Sequence, residues 1–351
     1  MNIRIFACIL KIFISVNTFA QIGGGNIYEF LNLPHSARVA ALGGKLISIK
    51  DNDLNLSFNN PSLLNSSMEK QLVLNYVNYF SDINYGYVSY SISDKKLGNF
   101  AAGIYHINYG EFIAADPTGQ ITGNFKASEY AFNLIWSKPI DSLFTFGVNV
   151  KPIFSVFEQY SSFGMAADFG ITYCNTEKLF TAALVLKNIG TQISTYYSKN
   201  REPLPFEIQF GISQQLEHAP FRFSFLAHHL ETFDLTYKNT NEPNPGFDPF
   251  TGKAIPEKKL GKFAEKIMRH IIVGVEIIPS ENFFVLFGYN YQRKKELQIS
   301  SRSSTVGFSW GFGFKISKFQ FGFGRATYHL AGSSNHFSII TNFSGLLKKQ
   351  Q

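Results

Sequence analysis

The feature that most constrains this chain is a period of two. Phe144, Phe146, Val148 and Val150 alternate with Thr145, Gly147, Asn149 and Lys151, and Phe206, Ile208, Phe210 and Ile212 alternate with Glu207, Gln209, Gly211 and Ser213. Phe308, Trp310, Phe312, Phe314 and Ile316 are interleaved with Ser309, Gly311, Gly313 and Lys315. Phe319, Phe321 and Phe323 follow with Gln320, Gly322 and Gly324 between and after them. Successive side chains on a strand point to opposite faces, so each segment carries one apolar face and one polar or small face. A soluble sandwich alternates too, and two further features separate the cases. The apolar face is mostly Phe, Tyr, Leu and Ile, with few small residues to interdigitate across a sandwich core. The segments run about 10 to 14 residues, longer than the ~5–6 of soluble strands and close to the ~9–11 that cross a bilayer at a tilt.

Composition agrees. Thirty-seven Phe, 17 Tyr and 28 Gly accompany only 16% charged residues, where soluble domains average about 25%. A mean hydropathy of -0.03 excludes a bundle of transmembrane helices, each of which needs about 20 consecutive apolar residues. A barrel conceals its hydrophobicity by alternating it.

The alternating segments fall at 71–80, 84–93, 98–108, 125–137, 143–157, 161–174 and 178–189, then 204–216, 220–237, 266–279, 282–292, 303–316, 318–328 and 334–343. These predict a transmembrane antiparallel β-barrel of about 14 strands. The connections sort by parity. Those after even-numbered strands are short, as at 94–97, 139–142, 175–177, 217–219, 280–281 and Ser317, whereas the long ones, 109–124, 190–203, 238–265 and 293–302, all follow odd-numbered strands. Short turns at the periplasmic end and long loops outside are the outer-membrane rule, which places both termini in the periplasm. In the longest loop, Pro, Asn and Gly oppose strand structure, and Phe263 to Arg269 suits a short helical turn. Trp136, Trp310 and the tyrosines near strand ends suit interfacial girdles.

The ends of the chain read differently. Residues 1–20 carry Arg4, an apolar run from Ile5 to Val16 interrupted by Lys11, and a small-x-small site at Thr18-Phe19-Ala20, the pattern of a cleaved signal peptide. Its removal takes away two of the seven net positive charges and Cys8, leaving Cys174 without an internal disulfide partner. The remaining charge gives no basis for a nucleic-acid partner. Residues 21–70 do not alternate and suit an N-terminal segment plugging or capping the lumen, 71–343 form the barrel, and 344–351 are a polar tail. Arg38 in the plug-like segment needs carboxylate partners if it lies in the lumen, and Glu207 or Asp168 are expected to supply them.

Nothing in the sequence points to catalysis. No G-x-S-x-G elbow occurs, and the glycine-rich stretch 311–313 sits inside a strand rather than at a helix start. His228-His229 is the most tempting pair, yet neighbours on a strand face opposite sides and do not share a metal ion. No catalytic, cofactor-binding or metal-binding residue is assigned, and no cofactor is expected.

Ser36-Ala37-Arg38 followed by Ala41-Leu42-Gly43-Gly44, with Asn60-Pro61-Ser62-Leu63-Leu64 further on, resembles the N-terminal plug of the fatty-acid-transporter-like barrel superfamily. Phe30-Leu31-Asn32-Leu33-Pro34, Leu74-Asn75-Tyr76-Val77-Asn78-Tyr79 and Asp82-Ile83-Asn84-Tyr85-Gly86 point further. So do the stretch from Leu179 to Asn188, Arg201-Glu202-Pro203-Leu204-Pro205-Phe206, and His218-Ala219-Pro220-Phe221-Arg222-Phe223. In this order they make the whole mature chain similar to the PorQ family, outer-membrane proteins of the Bacteroidetes type IX secretion system. That resemblance implies a non-enzymatic component helping surface attachment of cargo with C-terminal sorting domains. The partners it implies are outer-membrane lipid and lipopolysaccharide, a sortase-like subunit, other attachment-complex proteins and the secreted cargo. The wider superfamily implies the alternative, a transporter for hydrophobic small molecules such as fatty acids. That role needs an apolar pocket and a lateral opening, for which the Lys151-Pro152 step offers a kink. A general diffusion porin fits less well with a bulky N-terminal segment.

Overall fold

The computed structural model describes residues 25–197, 200–236, 259–297, 305–329 and 332–343. The expected signal peptide, most of the longest loop and the polar tail lie outside the described residues. Fourteen strands form one closed antiparallel barrel. They are β1 (Gln71–Asn78), β2 (Asn84–Asp94), β3 (Gly98–Ala115), β4 (Ile121–Pro139), β5 (Phe144–Phe157), β6 (Tyr160–Asn175) and β7 (Phe180–Ser194). There follow β8 (Glu207–Gln215), β9 (Phe221–Ala227), β10 (Ile271–Ser280), β11 (Phe283–Asn290), β12 (Phe308–Ile316), β13 (Phe319–His329) and β14 (Gly332–Asn342). Closure is made by β1, which pairs with β2 on one side and with β14 on the other, Gln71 opposite Asn342 and Asn78 opposite Asn335. A closed ladder leaves no free edge, and that is the condition for strands to cross hydrocarbon.

The alternation resolves as expected. On β5, Thr145, Gly147, Asn149 and Lys151 are buried while Phe144 and Val150 are exposed on the outer wall. The outside is a belt of large apolar side chains, among them Tyr76, Leu134, Phe210, Phe287 and Trp310. Such a surface suits hydrocarbon rather than water. Trp136 sits at the short-turn end, its indole N–H donating to the Leu97 carbonyl at 2.9 Å, and Trp310 lies near the opposite end of β12.

Four expectations are corrected. Residues 109–124 are not a loop, because β3 and β4 continue as one tall hairpin. Its outer part is held by pairing of Glu111 with Lys126 and of Phe112 with Phe125, whose rings stack at 5.2 Å. The turn is closed by Asp116, which accepts from the backbone of Thr118 and Gln120. The strand expected over 220–237 stops at Ala227, and the one expected from 266 begins at Ile271 because Lys259–Arg269 is helical. The helical turn expected over Phe263 to Arg269 is part of that helix. A further helix, Tyr291–Leu297, replaces the expected end of the eleventh segment. The wall is therefore uneven: β3 to β7 run 14 to 19 residues, whereas β8 and β9 have 9 and 7.

The lumen is filled by residues 26–68. A short helix, Ala37–Ala41, starts at Ser36, whose hydroxyl accepts from the Val39 N–H. It ends in Gly43 and Gly44, both at φ 99°, a conformation that glycine adopts without a Cβ penalty. Pro61–Leu63 forms a single 3-10 turn capped by Asn60. Inward-facing strand glycines let this backbone lie directly on the wall: Gly324 meets Ala37, Gly288 meets Leu42 and Gly43, and Gly147 meets Pro61. A Cβ at Gly288 would fall 2.2 Å from the Gly43 nitrogen and 2.4 Å from the Leu42 carbonyl carbon, so neither partner can yield by rotating a side chain. Gly288→Ala is expected to cost the docked plug about 1–3 kcal/mol. It should lower the melting temperature of the detergent-solubilised barrel and raise its conductance in planar bilayers. Wild-type values of both would contradict this docking.

Candidate functional site: the plugged lumen and its open seam

The wall supplies polar side chains to the plug at regular intervals. Ser338 Oγ accepts from the Ala37 N–H at 2.9 Å, and Ser309 Oγ bridges the Gly43 N–H and the Ala41 carbonyl at 3.0 and 2.9 Å. Ser213 donates to the Ser48 carbonyl at 2.6 Å, and Thr172 meets both Asn60 and Ser62. These contacts give the plug motif its physical content: small residues admit the backbone, and wall hydroxyls satisfy its polar atoms.

Charge is concentrated where the plug meets β9 and β10. Arg38 Nε lies 2.8 Å from Glu276, Nη2 lies 2.6 Å from Asp51, and Nη1 lies 3.3 Å from Asp53. Arg222 bonds the same Glu276 and Asp51 at 2.9 and 3.2 Å. The need for carboxylates around Arg38 is met, but not by the expected pair. Glu207 holds Lys45 at 2.5 Å and Asp168 holds Lys151 at 2.6 Å. The reason is the docking of the Ala37–Ala41 helix against β11 to β14, which turns Arg38 toward β10.

Burial pushes the Asp53 carboxyl above the ordinary carboxylate value, and Asp51 beside it adds to this despite Arg38. Burial acts on Asp51 as well, but Arg38 and Arg222 outweigh it and hold that carboxyl below the ordinary value. Asp53 is thus the least compensated member. Arg38→Gln is expected to destabilise the plugged barrel by roughly 3–5 kcal/mol, the usual result of leaving buried charge unpaired. Adding Asp53→Asn should restore part of the loss. Equal melting temperatures for the single and double variants would argue against this lattice.

The other end of the lumen is aromatic. Phe30, His35 and Phe58 of the plug pack on Tyr87 and Tyr105 of the wall, with ring centroids 4.9 to 6.5 Å apart. Tyr85 and Tyr105 also donate to the Pro34 and Leu33 carbonyls.

Next to this cluster the wall is incomplete. The ladder between β7 and β8 runs from Phe180 opposite Gln214 to Lys187 opposite Glu207 and stops there. β7 continues to Ser194, still paired with β6. Beside it the chain follows an irregular path from Asn200 to Phe206, where Pro203 and Pro205 lack the N–H groups a strand would need. This segment is tied to the wall and the plug by single hydrogen bonds: Glu202 N–H to Gln192, Ile27 N–H to the Pro203 carbonyl, and Asn188 to the Pro205 carbonyl. Leu204 inserts into the aromatic cluster. The kink considered at Lys151-Pro152 is not the breach: β4 and β5 resume the same register beyond it, and Pro152 faces Met165 in the ladder with β6.

The sequence signal of the seam was the pair Pro203 and Pro205, since proline denies a ladder its donor, yet the alternating segment read from 204 to 216 ran through the second of them. Lys151, Asp168 and Glu207 on the polar faces of strands were legible as inward-facing from alternation, but their partners were not, and Glu276 was not singled out.

No protein-family model and no curated protein matches the chain. Solved structures do. The toluene transporter TbuX of Ralstonia pickettii is 12% identical at a TM-score of 0.51, covering 88% of this chain and 97% of that one. The deltaS2 mutant of the TodX monoaromatic hydrocarbon channel is 13% identical at 0.52, with the same coverage. The Pseudomonas putida toluene transporter TodX is 12% identical at 0.50, covering 88% and 96%. At such identities the likeness is one of fold: this chain shares the barrel architecture of those proteins.

Proposed function

We propose that the chain is an outer-membrane transporter that admits small hydrophobic compounds with an aromatic or alkyl body and releases them sideways through the β7–β8 seam. The short turns and both termini face the periplasm in this reading. The observation that carries it is the seam itself, an interruption of the hydrogen-bonded wall beside a buried aromatic cluster, closed among the described residues by the coil around Leu204. Transport through the wall requires few bonds to break there, whereas elsewhere a whole ladder would have to part. The fold shared with toluene transporters supports the same reading. Apolar solutes partition from the aromatic cluster into hydrocarbon without crossing water, which is the energetic advantage of a lateral exit. Anchoring by the Arg38 lattice lets the plug stay fixed at its charged end while its apolar end moves.

A second reading rests on the resemblance of the stretches quoted above to the PorQ family. In it the barrel is a non-enzymatic part of a secretion and attachment complex, with lipopolysaccharide, a sortase-like subunit and secreted cargo as partners.

The two are separable. In a Cys174→Ser background, cysteines at Gln192 and Glu202 would tie the coil to β7. Cells making the protein should take up toluene faster than cells lacking it, the oxidised double-cysteine variant should lose that gain, and reduction should restore it. Uptake indifferent to the protein, together with loss of surface-anchored secreted proteins on gene deletion, would sink the transport reading and favour the second.

A further inference from the structure

At the foot of the seam the chain gathers three metal-ligating side chains. Glu207 is the last β8 residue paired with β7, and His228 and His229 follow directly on β9. The expectation that adjacent histidines diverge assumed a strand. Here the strand has ended at Ala227, and His229 has φ 52°, so the backbone turns and both rings face Glu207. One ligand atom from each of the three lies within 4.8 Å of the other two. His228 Nδ1 is 3.6 Å, and His229 Nε2 is 3.9 Å, from Glu207 Oε1. A tetrahedral zinc with bonds of about 2.1 Å sets its ligands about 3.4 Å apart, close to the two distances to Glu207, and side-chain rotation within the 4.8 Å cluster would complete the set.

Two independent features point to an occupant. Among the described residues, neither ring nitrogen of His228 is hydrogen-bonded, and Glu207 Oε2 is likewise unpartnered, although both side chains are almost wholly buried. Buried polar atoms of this kind are costly unless something satisfies them. The second feature is the support of His229. Its Nδ1 lies 2.9 Å from Glu231 Oε1, and Glu231 Oε2 accepts from the Ile208 N–H at 2.9 Å. A carboxylate only accepts, so Nδ1 carries a proton, and Nε2 is the nitrogen turned toward Glu207. Carboxylate–histidine–metal arrays orient their ligands in this way.

We propose that Glu207, His228 and His229 form a binding site for a divalent transition metal, zinc above all, with one coordination position left open. Two imidazoles and one carboxylate suit zinc rather than calcium or magnesium, which prefer all-oxygen shells. Lys45 bonds the same Glu207 Oε1 that the two imidazoles approach, so the ion and the ammonium would share this carboxylate, whose Oε2 is unpartnered among the described residues. The bound metal would fasten the start of β8 to the chain leaving β9, at the edge of the incomplete wall. The site stands whatever the barrel carries.

The test uses the full-length barrel, purified in detergent and stripped with chelator, with Co²⁺ as a chromophoric probe and Zn²⁺ as competitor. One equivalent of Co²⁺ should bind with the visible absorption of a four-coordinate site and be displaced by Zn²⁺. His229→Asn, a residue that tolerates the same left-handed backbone, should abolish that absorption while the barrel keeps its heat-modifiable migration on gels. Glu231→Gln, which removes only the support, should weaken binding about 10–100-fold. Failure of the wild-type barrel to bind one equivalent, or undiminished binding by folded His229→Asn, would overturn the site.

Discussion

Everything in this molecule depends on filling a cylinder. A barrel of about eight strands can be packed by its own inward side chains, but fourteen strands enclose more space than theirs can fill. Many inward positions here are small, glycine and serine above all, which widens the lumen further. The plug is the answer to that geometry, and the small residues are the condition for it: Gly147, Gly288 and Gly324 receive backbone, not side chains. Wall and plug are thus one folding problem. Without the plug the strands would close a shell lined by unsatisfied hydroxyls, and the plug's own apolar cluster of Val39, Leu42, Leu46, Ile49, Leu56 and Leu63 is completed by Leu286 and Phe284 of the wall.

Filling a lumen with chain rather than water makes charges expensive unless they are paired. The plug pays for this by bringing its own acids. Asp51 and Asp53 flank Arg38 from within the segment, and the wall contributes Glu276 and Arg222. Because Arg38 and Arg222 share Asp51 and Glu276, neither cation can leave alone without stranding carboxylates. The apolar contacts of Phe30 and Phe58 carry no such penalty for separation beyond lost burial. The charged end is therefore the fixed end of the plug and the aromatic end the one that can shift.

This division explains what the sequence disclosed. Alternation reports which way a side chain points, so the strands, their number and the inward placement of Lys151, Asp168 and Glu207 were legible residue by residue. Alternation also fails where local bonding overrides it. The 109–124 stretch looked like a loop, yet cross-strand pairs such as Phe112 with Phe125 carry the hairpin on. Partners are another matter. Arg38 and Glu276 are separated by 238 positions, and nothing local to either encodes the meeting. The choice of Glu276 over Glu207 is set by how one five-residue helix docks, which only the packed structure reveals. The histidine pair failed for a related reason: its geometry was deduced from a strand that ends one residue earlier.

The uneven wall ties these observations together. β7 rises past the point where β8 can pair with it, because Pro203 and Pro205 precede β8 and remove the donors that would extend the ladder. β9 is shorter still, and the chain leaving it folds back on the start of β8, where the Leu230 N–H donates to the Ile208 carbonyl at 3.1 Å. The lost ladder bonds are replaced by side chains: Glu231 caps the Ile208 N–H, Asn188 takes the Pro205 carbonyl and Gln192 takes the Glu202 N–H. A ladder of backbone bonds opens only cooperatively, whereas isolated side-chain bonds open one at a time. Low local stability of this kind is where moving parts are found. The same substitution of side chains for backbone pairing gathers Glu207, His228 and His229 at the seam, since residues freed from the sheet are free to converge.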